Sequence, residues 1–136
     1  MITADVATLL GSFIELRRNL PFIWGTHDCC QFSVDWIEHV TGRRVDDTRN
    51  RYHDAASSGD QLRGLYGTDD LIAVATQLLG EPLASPLLAC RGDVLAFRRL
   101  DMVFFGLCMG IKCVAVGKKR LVTLPLSSAI AAWRIV

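Results

Sequence analysis

The segment from Trp24 to Phe32 reads WGTHDCCQF and sets two adjacent cysteines behind an aspartate where a helical pattern begins. Asp28 is an N-cap by residue type, with Gln31 three positions on as in a capping box, so Cys29 becomes the first helical residue. A thiol at that position meets the positive end of the helix dipole and backbone N–H groups that lack intrahelical partners. Both favour thiolate. Cys29 is therefore a candidate nucleophile.

Thiolate chemistry also needs a general base, usually a histidine oriented by a third polar group. The chain offers His27, His39 and His53. His39 lies ten residues down the same helix, roughly 15 Å along its axis, and is out of reach. His27 precedes the N-cap, so its ring must fold back over the helix end to act as base. His53, in a polar stretch, is the other candidate. The competing reading is that Cys29 and Cys30 pack as small apolar residues under a sheet, since free cysteine is among the most buried residue types.

These groups must be positioned by the elements around them. Val6, Leu9, Leu10, Phe13 and Leu16 have helical spacing, predicting a helix from about Ala4 to Arg18 with Thr3 as N-cap. Pro21 ends that helix, and PFIWGTH forms the loop that delivers the chain to the cysteines. The cysteine helix presents Phe32, Trp36, Ile37 and Val40 on one face and stops at Gly42. Residues 43–67 are polar, with a short helix predicted at Asp60–Leu65. A largely buried helix is predicted at Asp69–Leu79 before Gly80 and Pro82. Beyond Pro86, LLACRGDVLAFRR, MVFFGLCMG, KCVAVG and RLVTLPL read as strands. A last helical turn, Ser127–Ala132, then leads into WRIV as a terminal strand. Helices first and strands second predict an α+β domain, a helical half packed on an antiparallel sheet.

A second cluster of thiols lies in the strand half. If Gly110 and Ile111 form a two-residue hairpin loop, Met109 pairs with Lys112 and Cys108 with Cys113. Alternation then puts Phe104, Gly106, Cys108, Cys113 and Ala115 on one face, expected to look toward the Cys29 helix, with Cys108 about 13 Å along the strand from Phe104. Cys108 and Cys113 are weak candidates for a zinc or iron–sulfur site, but no Cys-x-x-Cys pair supports one. No cofactor is expected.

The 136 residues suit one domain spanning 1–136, and half of them are apolar. A formal net charge of +1 with interleaved signs argues against a nucleic-acid partner. Five cysteines, an odd number, fit free thiols in a reducing compartment better than a disulfide framework. The start MITADVATLL has no basic n-region, and no apolar run is long enough to span a bilayer. Synthesis in the cytoplasm without membrane insertion is the expectation.

With its helix start, RGDVLAF and a strand ending FFGLCMG, the chain resembles the NlpC family of papain-like cysteine peptidases. That family's motifs are an Asp-Cys-x-x-Phe helix start, a Gly-Asp before the first strand and a His-x-Gly on the next. From Leu16 to Val136 it is closer still to a small relative of unknown function from prophage and gene-transfer tail clusters, which carries Trp-Gly-x-His-Asp-Cys-Cys and a late Ala-Trp-Arg, here Ala132, Trp133 and Arg134. The resemblance implies an NlpC-type papain-like fold, with Cys29 on the nucleophile, Asp28 before it and Gly92-Asp93 on the turn that opens the sheet. Phe104 falls on the catalytic histidine, and the third polar residue falls near Ala115. Loss of acid–base assistance alone typically costs a factor of roughly 10² to 10⁴. The resemblance thus implies a degenerate domain serving as a structural component of a phage tail tip in the virion, with other tail proteins and peptidoglycan as partners. The rival expectation is an active hydrolase of peptidoglycan stem peptides with Cys29 as nucleophile and His27 or His53 as base.

Overall fold

The computed structural model describes residues 5–135. Four helices, α1 (Val6–Arg17), α2 (Cys29–Thr41), α3 (Ala55–Tyr66) and α4 (Leu71–Leu79), precede five strands. The strands are β1 (Val94–Arg99), β2 (Met102–Cys108), β3 (Lys112–Val116), β4 (Leu121–Pro125) and β5 (Ala129–Trp133). They form one antiparallel sheet in the order β4-β3-β2-β1-β5. The α+β architecture expected from the order of patterns is the one observed.

The central helix α2 lies against β2 and β3. Phe32, Trp36 and Ile37 of α2 join Leu10 and Phe13 of α1 and Val94, Ala96, Phe105, Leu107, Val114 and Trp133 of the sheet in the main core. The ring of Phe13 sits 5.5 Å from that of Phe32 and 5.4 Å from that of Trp36, which locks α1 across the start of α2. The opposite sheet face carries Leu95, Phe97, Cys108, Cys113, Ala129 and Ala132, covered by Leu83, Leu124 and Leu126. This inverts the predicted facing. Phe105 and Leu107 meet the helices, while Phe104 and Cys108 pack on the far side. Period-two alternation defines two sets but not which set is inward, and the larger residues of β2 lie on both.

Several boundaries also move. Asp5 caps α1, accepting from the Ala7 N–H; the expected cap Thr3 lies outside the described residues. The helix predicted at Asp60–Leu65 runs the full length Ala55–Tyr66, because Asp54 and Ser57 form a reciprocal capping box that starts it early. In α4 only Val74 and Ala75 are buried, so the helix is half-covered rather than enclosed. LLAC is not strand: Pro86–Leu88 is a 3₁₀ turn, and pairing starts at Val94.

The predicted helical turn at Ser127–Ala132 is a 3₁₀ turn, Leu126–Ser128, followed by β5. Alanines carry no β-branched signal, yet Ala131 and Ala132 pair with Ala96 and Leu95, and this small-residue edge lets Trp133 enter the core fully buried. Tertiary pairing overrides propensity here. The strand ends at Trp133; of the predicted terminal strand WRIV, Arg134 and Ile135 lie beyond it and Val136 lies outside the described residues.

Candidate active site

The loop before α2 is built around one carboxylate. Asp28 is 2% exposed; its Oδ1 accepts from the Gln31 N–H at 2.8 Å, and its Oδ2 accepts from the Gly25 N–H at 2.9 Å and the Tyr52 hydroxyl at 2.6 Å. Gly25 has φ +82°, and a Cβ there would stand 2.5 Å from the Tyr52 carbonyl oxygen, so the close approach of residue 52 to the loop requires glycine. Only half of the expected capping box forms. Gln31 does not reach back to the cap; its buried amide donates to Thr48 Oγ1 at 2.9 Å and to the Tyr52 oxygen at 3.3 Å. Tyr52, which the sequence reading did not single out, thus braces the start of α2. Burial, then the charge of Asp28, raises its hydroxyl pKa well above the usual phenol range.

This frame makes Cys29 the first residue of α2, with Cys30 beside it, both half-buried. Hydrogen bonding from the Cys30 thiol, opposed by burial and aided by the backbone N–H of Phe105 on β2, holds the Cys29 pKa below the ordinary thiol range. Cys30 moves the other way and stays protonated, because it donates to Cys29 and is buried beside it. Both cysteines border a cleft of about 590 Å³ that also touches Trp24, Tyr52, Asp70, Asp101 and Phe104.

Phe104, where the resemblance puts the family's base, borders this cleft, but its ring turns to the far face of the sheet. There it stacks on Phe97, ring centroids 5.4 Å apart. Ala115, near which the resemblance puts the third polar group, is 1% exposed on β3 and offers no polar atom from its side chain. Among the described residues no histidine lines the cleft. His27 is 7% exposed and borders a separate cavity with Arg17, Asp35 and Arg49. His53 faces solvent beside Asp54, and His39 packs against Phe13 and Trp36.

The two cysteines of the hairpin meet as the loop length predicts: Cys108 pairs with Cys113, and the Met109 N–H donates to the Lys112 carbonyl. Hydrogen bonding from Cys113 lowers the Cys108 pKa to about 7. Among the described residues, no group of three or more His, Cys, Asp or Glu side chains is placed to hold a metal ion.

The Gly-Asp turn and the Ala-Trp-Arg end come together. Asp93, fully buried, accepts from the N–H groups of Cys90 and Ile135 and from Arg134 Nε at 2.9 Å, while Arg134 also donates to the Leu88 carbonyl. The Gly92 carbonyl accepts from Trp36 Nε1 at 2.7 Å, tying the same turn to α2. Asp93→Ala removes a buried acceptor from three part-buried hydrogen bonds and is expected to cost about 3 kcal/mol, read as a shift of the urea midpoint. Arg134→Ala leaves Asp93 its two backbone donors and should cost less. A loss under 1 kcal/mol for Asp93→Ala would remove the clamp from the account.

Residues 1–135 match the family model described as a domain of unknown function, DUF6950. The chain belongs to the DUF6950 family. No curated protein matches this DUF6950 chain. Among solved structures it is similar to the crystal structure of the NlpC/p60 domain of the peptidoglycan hydrolase SagA. The TM-score is 0.61 at 14% identity, over 94% of this chain and 97% of that one. The DUF6950 chain therefore has an NlpC-like papain fold, as the motifs implied.

Proposed function

We propose that this protein is a structural component of a phage or prophage tail tip, built on a papain-like frame that has lost its hydrolytic machinery. The observation that carries the loss is the cleft itself: Cys29 stands at the head of α2, and among the described residues no histidine borders the site, in keeping with the resemblance, which puts the base at Phe104. The tail context rests on the joint resemblance of WGTHDCC and Ala132-Trp133-Arg134 to tail-cluster relatives. In that setting the partners are neighbouring tail proteins, with peptidoglycan as a surface the tip meets, and the site of action is the virion. Purified protein is expected to cleave peptidoglycan stem peptides no faster than Cys29→Ala, and affinity capture with co-expressed tail proteins is expected to recover them. Failure to recover any would sink the assembly role.

One observation favours a second reading, a cysteine peptidase or amidase with Cys29 as nucleophile whose base comes from a partner chain: the lowered pKa of Cys29. Its alkylation by iodoacetamide is expected to reach half its maximal rate below the model thiol value of about 8.5, measured in Cys30→Ser with Cys29→Ser as control. Cleavage by the assembled tip that Cys29→Ala abolishes would establish this reading over the first.

A further inference from the structure

His27 is the residue of the WGTHDCC motif that the cleft does not use. Its ring is 7% exposed, stands 5.9 Å edge-on from Phe32, and its Nε2 has no hydrogen-bond partner among the described residues. A buried imidazole nitrogen without a partner is costly to retain for packing alone.

The cavity beside it has about 420 Å³ and shares no lining residue with the Cys29 cleft. On its wall stands Arg17, half-buried with its guanidinium 3.7 Å from the Phe13 ring centroid. Its single hydrogen bond among the described residues goes to the Phe13 carbonyl at 3.1 Å, and it forms no ion pair there. Asp35 attracts it across the cavity but is already paired with other arginines. Both oxygens of Asp35 accept from Arg49 Nη2, and Arg44 lies 3.9 Å away on the other side. Arg49 is fixed in turn by its bond to the Thr26 carbonyl. The cavity therefore holds a surplus positive charge with free donors next to an unsatisfied ring. Burial and the nearby Arg17 both disfavour the charged form of His27, which leaves the ring neutral and able to donate from one nitrogen. The rim is apolar and exposed: Leu16, Leu20 and Ile23.

We infer that this cavity is a binding site for a carboxylate carried on an aliphatic body, with the carboxylate on Arg17 beside His27 and the aliphatic part on Leu16, Leu20 and Ile23. Arginine recognises carboxylates through its planar fork of donors, and the rim supplies what a bare inorganic anion cannot use. Such a ligand comes either from the end of a partner polypeptide with an apolar last residue or from a fatty acid.

The test is a titration of the whole protein, with its histidine rings isotopically labelled, by N-acetyl-leucine and by octanoate, with N-acetyl-leucinamide and inorganic phosphate as controls. His27→Gln assigns the ring signals. Both carboxylates are expected to move the His27 signals saturably, and the uncharged amide to bind at least about tenfold more weakly, as loss of a charge-assisted hydrogen bond implies. Arg17→Gln is expected to weaken the carboxylates similarly; should it not fold, the acid-to-amide comparison in the wild type still decides. Stronger binding of N-acetyl-leucine supports a chain end as the source, and stronger binding of octanoate a fatty acid. No shift at millimolar ligand, equal binding of the amide, or an equal response to phosphate overturns the proposal.

Discussion

Asp28→Ala is expected to leave the protein largely unfolded at 37 °C. The carboxylate receives the Gly25 and Gln31 N–H groups and the Tyr52 hydroxyl, all at a buried point. Losing an N-cap costs about 1 kcal/mol, and each buried donor left unsatisfied costs about 1–3 kcal/mol. The cap bond from Gln31 and the two other donors together come to about 3–7 kcal/mol, comparable with the whole stability of a marginal domain. Tyr52→Phe removes one of these bonds and leaves the rest, so it should cost about 1–2 kcal/mol. Urea denaturation followed by circular dichroism measures both. If Asp28→Ala lost less than Tyr52→Phe, the aspartate would not be the centre of this loop.

Val103→His is expected to accelerate alkylation of Cys29 at pH 6 by about tenfold. Residue 103 borders the cleft from the same sheet face as both cysteines, whereas the ring of Phe104 lies on the far face. An imidazolium beside a thiol lowers its pKa; a drop of about two units raises the thiolate fraction about a hundredfold at that pH while intrinsic nucleophilicity falls about tenfold. The substitution is tolerable in space because Val103 is half-buried at the cleft, where the larger ring has room. Hydrolysis of stem peptides should stay far below that of an intact triad, since Ala115 provides nothing to orient the new ring. An unchanged rate in a folded variant would mean that residue 103 does not share an electrostatic environment with Cys29.

Much of this site is local, and local features are legible. A helix start is written in a few consecutive residues: Asp28 followed by an apolar stripe to Gly42 predicts both ends of α2, and Gly42 does adopt φ +78°. The two-residue turn at Gly110-Ile111 likewise determines the Cys108–Cys113 pairing, because loop length sets hairpin register. Other features have no local signature. Nothing in the polar segment marks Tyr52 as the brace of Asp28, 24 residues away. The capping box at Asp54 was readable but masked by the serine and glycine that follow it.

The sequence by itself determined the α+β order, the placement of Cys29 at a helix N-terminus and the absence of a histidine at position 104, since each depends on residue type and short-range spacing. Only the tertiary structure decided which face of β2 meets the helices, that the alanine-rich end forms a strand, and that Asp93 and Arg134 close on each other. It alone separated His27 from Cys29, two residues apart in the chain, into different cavities. The physical reason is common to all of these. Backbone propensities and caps act over a few residues, whereas facing, edge pairing and the partners of buried charges are settled by what must leave water together when distant segments pack.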